Sequence, residues 1–245
     1  MKKELLNCVA VSNEFARYAE INLSLIEWKL LLYMISRIKK HEILFLYEKV
    51  KLIYFTKIMG VSTTSVVKKA AESLVNTTVC IKDKTYSIFD SLTVDNKTIT
   101  YKFNEEMRPH LLGLSDNMTI FDLGSIYSMK SKYTIRMFIF GMSFRHMTYY
   151  NCAQDDFKKI VGFDKSKSEL ERRILFPALD EINENTNIFL HARFKDDRYY
   201  FAATEKTDKQ KQKYRVDEWK NLIEDTRDFS EISKDIFSDL NFEEL

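Results

Sequence analysis

Two short stretches of this sequence bring hydroxyls and cations together within one or two helical turns. One is Thr63-Thr64-Ser65 followed by Lys68 and Lys69; the other is Lys165-Ser166-Lys167-Ser168 followed by Arg172 and Arg173. Hydroxyl and ammonium groups suit phosphate oxygens, and the planar fork of arginine can pair bidentately with guanine. That is the chemistry of binding a polyanion. Groups for bond breaking are not arranged in the same way. His41, His110, His146 and His191 are well separated, so no His-x-His metal pair exists, and the thirteen tyrosines have no metal site or base to activate them. Gly60, Gly113, Gly124, Gly141 and Gly162 are isolated, which excludes a dinucleotide fingerprint and a phosphate loop. No catalytic residue, metal ligand or cofactor is expected.

Composition sets the frame for those stretches. At 245 residues with 45% hydrophobic residues, the chain is long enough for two domains, each with a core. Only 5 Gly and 2 Pro predict long helices and few glycine-dependent loops. Cys8, Cys80 and Cys152 are odd in number and widely spaced, as expected of reduced thiols in the cytoplasm. The first residues lack the sustained apolar stretch of a signal peptide, and no apolar run approaches the ~20 residues of a membrane span, so no membrane partner is expected. A net charge of +2 hides a segregation: residues 217–245 carry −7, leaving +9 on residues 1–216. A basic body with an acidic tail points to a polyanionic partner for the body.

The elements that must position these side chains occur twice. Lys57-Ile58-Met59-Gly60-Val61-Ser62 returns as Lys159-Ile160-Val161-Gly162-Phe163-Asp164, offset by 102; Asn76-Thr77-Thr78-Val79-Cys80-Ile81 returns as Asn185-Thr186-Asn187-Ile188-Phe189-Leu190, offset by 109. In each copy a helix ends at glycine and a capped second helix follows. The apolar face of that helix is Val66, Val67, Ala70, Ala71 and Leu74 in the first copy, and Leu170, Ile174, Ala178 and Ile182 in the second. Ser168 with Glu171 has the form of a capping box and predicts a helix start near Glu169. Strands are expected at Thr78–Ile81, Tyr86–Phe89 and Ile99–Phe103, and again at Ile188–Phe194 and Tyr199–Ala203, around the turn-like Asp95-Asn96-Lys97 and Lys195-Asp196-Asp197-Arg198. A long helix precedes each unit, from Ser24 to Lys40, opening with the box Ser24–Glu27, and from about Met129 to His146. A helix, a helix–turn–helix and a β-hairpin make a winged helix, whose second helix enters the DNA major groove with its N-terminal residues at base edges.

Three stretches resemble Rep_3-type plasmid replication initiators, the iteron-binding, theta-type family. They are Asn22-Leu23-Ser24-Leu25-Ile26-Glu27-Trp28-Lys29-Leu30, Ser131-Lys132-Tyr133-Thr134-Ile135-Arg136, and Arg173-Ile174-Leu175-Phe176-Pro177-Ala178-Leu179-Asp180-Glu181-Ile182-Asn183. The likeness spans roughly residues 5–205. It implies a monomer that binds repeated origin sites, helps open the origin and recruits the host initiator and replicative helicase, and a dimer that represses its own gene at an operator inverted repeat. It also implies DNA contacts from Ser131, Lys132, Tyr133 and Arg136 in the signature helix, and from Arg173 with Arg172 as its helper.

The expected fold is therefore α+β: two tandem winged-helix domains and a short charged C-terminal tail. Residues 1–117 form the first domain, for dimerisation and accessory DNA contacts; 118–205 form the second, for the main recognition of origin repeats; 206–245 form the tail, with a short helix around Val216–Ile223. The expected DNA-binding residues are Thr63, Thr64, Ser65, Lys68, Lys69, Ser131, Lys132, Tyr133, Arg136, Lys165, Ser166, Lys167, Ser168, Arg172, Arg173 and, on the second wing, Arg198. Trp28 reads as core, Tyr133, Ile135, Phe138 and Phe140 as core or contact, and Pro177 as a residue that shapes its helix. The alternatives are a dedicated winged-helix transcription repressor, a DNA-free interaction scaffold and, least favoured, a rolling-circle nicking enzyme. The expected location is the cytoplasm of a plasmid-bearing bacterium.

Overall fold

The computed structural model describes residues 8–39, 42–61, 63–112 and 117–206. Ser62, the basic run from Lys209 to Arg215 and the expected tail helix lie outside the described residues. The chain forms two compact units. The first runs to Ser143 and includes Ile160–Gly162; the second comprises Phe144–Lys159 and the chain from Phe163.

The first unit begins with β1 (Cys8–Ser12), α1 (Asn13–Tyr18) and α2 (Leu25–Ser36). The local sequence dictates where α2 starts. Ser24 Oγ accepts from Glu27 N–H at 3.3 Å, and Glu27 Oε2 accepts from Ser24 N–H at 2.7 Å, closing the expected capping box. The helix ends at Ser36 rather than Lys40. β2 (Glu48–Lys51) leads into α3 (Leu52–Met59), which Gly60 closes at φ 64°, and α4 (Thr64–Leu74) follows. Val67, Ala70, Ala71 and Leu74 form the buried face of α4, as expected, but Val66 is 40% exposed because it falls outside that stripe.

Two hairpins come next, not one. β3 (Thr78–Ile81) pairs with β4 (Lys84–Ser87) across a two-residue turn in which Lys82 and Asp83 have φ of 48° and 64°. β5 (Phe89–Val94) then pairs with β6 (Thr98–Phe103). The expected strand Tyr86–Phe89 is thus divided between two hairpins. The unit continues through a 3-10 turn (Glu105–Met107), α5 (Arg108–Leu111), β7 (Met118–Asp122), α6 (Leu123–Ser128) and α7 (Lys132–Met142).

The expected domain boundary at 117/118 falls instead at Ser143/Phe144. The physical reason is antiparallel pairing of β7 with β1, Cys8 opposite Asp122 and Ser12 opposite Met118, which ties residues 118–122 to the start of the chain. Helix α7 is buried in the same unit, with Ile135, Met137, Ile139 and Phe140 fully enclosed; Trp28 and Phe138 are core as well.

The second unit contains β8 (Tyr150–Ala153), α8 (Gln154–Val161, less its last two residues), α9 (Lys167–Leu170), a π-turn (Glu171–Leu175), α10 (Phe176–Asn185), β9 (Ile188–Lys195) and β10 (Arg198–Glu205). Helix α9, the π-turn and α10 run continuously. Proline has no N–H, and its ring collides with the carbonyl four residues back. Pro177 therefore cannot follow Arg173 in an ordinary α-turn; the backbone widens, and Phe176 N–H reaches the Glu171 carbonyl, five residues back. The helix starts at Lys167, capped by Ser166, whose Oγ accepts from Glu169 N–H at 3.3 Å; the expected box at Ser168 does not form.

The repeat is real, but its equivalences differ from the sequence matches. The first unit has a sheet of order β2-β6-β5 and the second one of order β8-β10-β9, so β5–β6 and β9–β10 are the corresponding wings. β2 and β8, α3 and α8, and the closing glycines are each 102 residues apart; β5 and β9 are 99 apart, β6 and β10 are 100. The resemblance of Asn76–Ile81 to Asn185–Leu190 aligns β3 with β9, which have different places in the fold. The β3–β4 hairpin is additional to the first copy, and its length is balanced by a longer second helix in the second copy, 167–185 against 64–74.

Aromatic packing ties β5 to β6 within the first sheet and holds the second sheet to α8. Phe89 stacks on Phe103 at 5.1 Å in the first unit, and Phe157 lies 5.0 Å from Phe201 and 4.9 Å from Tyr199 in the second. Burying each such ring contributes about 1.5–3 kcal/mol.

Candidate nucleic-acid interface

In the first unit, α4 and the β5–β6 wing carry the cations. Thr63, Thr64 and Ser65 are exposed at the helix start, with Thr63 Oγ1 2.9 Å from Ser65 Oγ. Lys69 is exposed; Lys68 Nζ lies 3.5 Å from Asn96 Oδ1 on the wing turn and 3.9 Å from Glu72. Asp95 makes that turn rigid, accepting from Thr98 Oγ1 at 2.6 Å and from the N–H groups of Lys97 and Thr98, both at 2.8 Å. These bonds, that to Thr98 Oγ1 foremost, hold its carboxyl down to about 2, well below the usual carboxylate range.

Three further cations beside the wing were missed by sequence reasoning. Lys49 and Lys51 project from edge strand β2, opposite Thr100 and Thr98 of β6, and Lys97 stands on the wing turn; all three are exposed. The signal was present as alternation: Lys49-Val50-Lys51 buries its valine and puts both lysines on one side of a strand.

The signature helix α7 separates into different roles. Ser131 caps it, Oγ accepting from Tyr133 N–H at 3.2 Å. Lys132 Nζ donates to Asn22 Oδ1 at 2.9 Å and lies over the Tyr133 ring at 5.1 Å, so the first two signature stretches meet at this bond. All three side chains are partly exposed. Arg136 is not: at 3% exposure it donates to the carbonyls of Ala16 (2.6 Å), Ala19 (3.1 Å) and Ile160 (3.1 Å). The expected DNA contact from Arg136 is corrected accordingly, because its guanidinium is enclosed and committed to backbone. Burial lowers its pKa to about 9, which leaves it a cation at neutral pH.

In the second unit, Lys165, Ser166, Ser168, Arg172 and Arg173 are exposed around α9 and the π-turn. Lys167 is half-buried, 3.3 Å from Glu171 and 4.0 Å above the Phe194 ring. Arg173 Nη2 lies 3.0 Å from Glu169 Oε1. Glu171 also accepts from Tyr199 Oη on β10 at 3.2 Å, which ties the helix to its wing. Arg198 gives Nε and Nη2 to Asn151 Oδ1 at 2.9 and 2.7 Å, joining β10 to β8 while remaining exposed. Asp196 and Asp197 form the wing tip at φ of 50° and 57°.

The Glu-Ile-Asn end of the third signature stretch is architectural. Asn183 is buried, accepts from Leu190 N–H at 2.7 Å and donates to the Leu190 carbonyl at 3.0 Å, clamping α10 to β9. His110 and His191 are also buried, and burial depresses both imidazole pKa values. Among the described residues no cluster of His, Cys, Asp and Glu could hold a metal ion, and no helix is long and apolar enough to cross a membrane.

Comparison with known proteins agrees with this arrangement. The chain adopts the fold seen in the crystal structure of Pi initiator protein in complex with iteron DNA: TM-score 0.62, 13% identity, covering 81% of this chain and 97% of that one. No curated protein matches it. Residues 8–140 match the family described as "Initiator Replication protein, WH1", and residues 153–203 match its companion, "Initiator Rep protein, WH2". With two winged-helix units of one sheet order and both halves matched, the chain belongs to the Rep3 family of replication initiator proteins.

Proposed function

We propose that this protein is a plasmid replication initiator that binds repeated double-stranded origin sites, the iterons, without catalysing a reaction itself. The observation that carries this reading is the recurrence, in two units of one topology, of an exposed hydroxyl-and-cation helix start beside a wing. The family match and the fold shared with an iteron-bound initiator support it.

Within this reading Thr63, Thr64, Ser65, Lys68 and Lys69, with Lys49, Lys51 and Lys97, contact one stretch of DNA. Lys165, Ser166, Lys167, Ser168, Arg172 and Arg173 face another, with Arg198 beside them. Ser131, Lys132 and Tyr133 add backbone contacts from α7. The helix starts supply base reading, and the lysines supply phosphate contacts that carry no sequence information. Bound at repeats, the protein helps open the origin and brings the host initiator and replicative helicase.

A second copy is the further partner. Ile43, Leu46 and Tyr47 are 70%, 59% and 66% exposed just before edge strand β2, an apolar strip that supports self-association in the autorepressing form.

The test is a footprinting titration on DNA flanking the gene at two salt concentrations. Protection at evenly spaced direct repeats is the expected result. Protection confined to an inverted repeat would make the protein a dedicated repressor, and no protection at low salt would remove DNA binding from the reading.

A further inference from the structure

Residues 144–206 carry eleven Lys and Arg against eleven Asp and Glu, a net charge of zero, whereas residues 1–143 carry +6. The acids are not remote from the candidate interface. Glu169 and Glu171 stand on the same helix stretch as the cations, each within 3.3 Å of one of them, and Asp196 and Asp197 occupy the exposed wing tip. A surface built only for affinity to a polyanion would omit these carboxylates, since each repels phosphate.

We propose that Glu169 is a positioning residue that gives Arg173 its base selectivity. The assignment rests on the DNA-binding reading and deepens it. Glu169 Oε1 takes one terminal nitrogen of Arg173, Nη2, at 3.0 Å. The remaining N–H groups of the planar guanidinium stay available in a fixed orientation, ready for the two acceptors that guanine presents in the major groove. Without Glu169 the guanidinium swings freely on its long stem, and the nearest phosphate, the same for every sequence, captures it. The negative charge of Glu169 acts in the same direction by weakening attachment to any phosphate at that point.

Two further observations support this geometry. Arg173 sits in the π-turn that Pro177 enforces, so its backbone is held by a constraint independent of the ion pair. The pair itself is exposed, with side-chain accessibilities of 35% for Glu169 and 55% for Arg173, so it adds little to folding. Its loss is thus readable in binding with the fold intact.

The experiment uses the full chain and the isosteric Glu169→Gln. Binding is measured to the intact repeat, to repeats substituted at each base pair in turn, and to an unrelated duplex. The expected result is a rise of about threefold in affinity for the unrelated duplex, and a fall of about tenfold in the ratio of specific to non-specific binding. Preference should vanish at one base pair, the same one that Arg173→Ala relaxes. In an Arg173→Ala background, Glu169→Gln should leave base preference unchanged, an outcome that a merely structural role would not produce. Retention of the wild-type ratio and base preference by Glu169→Gln, with wild-type protein selective, overturns the positioning role alone. Failure of wild-type protein to select any repeat overturns the DNA-binding reading, and the proposal with it.

Discussion

Arg136 Nη1 donates to the carbonyl oxygen of Ala16 at 2.6 Å across 120 residues of sequence. The same guanidinium reaches Ala19, which caps α1, and Ile160, near the end of α8. Carbonyls at helix C-termini lack intrahelical partners and carry the negative end of the helix dipole. Three of them around one planar cation do what a carboxylate does in an ordinary buried ion pair.

Removal of that cation leaves orphaned carbonyls in a closed site. Arg136→Ala is expected to destabilise the protein by about 3–5 kcal/mol. Arg136→Lys should recover little of this, because a point ammonium cannot span the three acceptors as the guanidinium does. Urea unfolding checks both. Wild-type stability in Arg136→Ala would mean that the side chain is not committed to backbone as described.

Asn183 offers a similar test in the second unit. Both backbone groups of Leu190 depend on its side-chain amide. Asn183→Ala should cost about 2–3 kcal/mol, since buried donors and acceptors lose their partners. Hydrogen exchange should localise the loss to β9, with the Leu190 amide losing protection first.

The first-unit lysines should act through charge alone. Replacing Lys49, Lys51, Lys97 or Lys132 singly by alanine is expected to weaken binding to all sequences equally. Each should lower the slope of log K against log salt by about one. A loss confined to the intact repeat would show that the lysine reads a base.

Acid should destabilise the protein through His191. Burial lowers its pKa to about 3, so the folded state keeps it neutral while the unfolded chain takes up a proton below about pH 6.5. The unfolded state then binds more protons, and stability falls as pH drops from about 6.5 towards 3. The contribution is of order 1 kcal/mol per pH unit in that window. Urea midpoints at pH 7, 6 and 5 should fall less steeply in His191→Gln than in wild type. Identical slopes would remove His191 from the acid response. His110, also depressed by burial, adds a response of the same sign.

Features that close within a few residues were legible in advance. The Ser24–Glu27 box is settled by groups three positions apart, and Gly60 and Gly162 adopt their left-handed conformations to end helices where the sequence places them. The Asp196-Asp197 turn is equally local. Where two local solutions competed, neighbouring residues did not decide. Ser166 and Ser168 both precede a glutamate by three, and Ser166 forms the cap because the helix begins two residues earlier than the alternative requires. The β3–β4 hairpin escaped notice because Lys82 and Asp83 adopt positive φ without glycine, so the turn gave little warning.

By itself, the sequence determined that this chain holds two copies of one helix–turn–helix and wing, with hydroxyls and cations at each helix start. Periodicity, caps and turns are written in short windows, and they specify elements and exposed faces directly. The tertiary structure alone decided that β7 belongs with β1, that β5 rather than β3 corresponds to β9, and that Arg136 is enclosed while Arg173 is presented to solvent. Two arginines of the same chemistry acquire opposite roles because Arg136 is enclosed by Ala16 and Ala19, more than a hundred residues away, while Arg173 pairs with Glu169 one turn back. No short window contains that information.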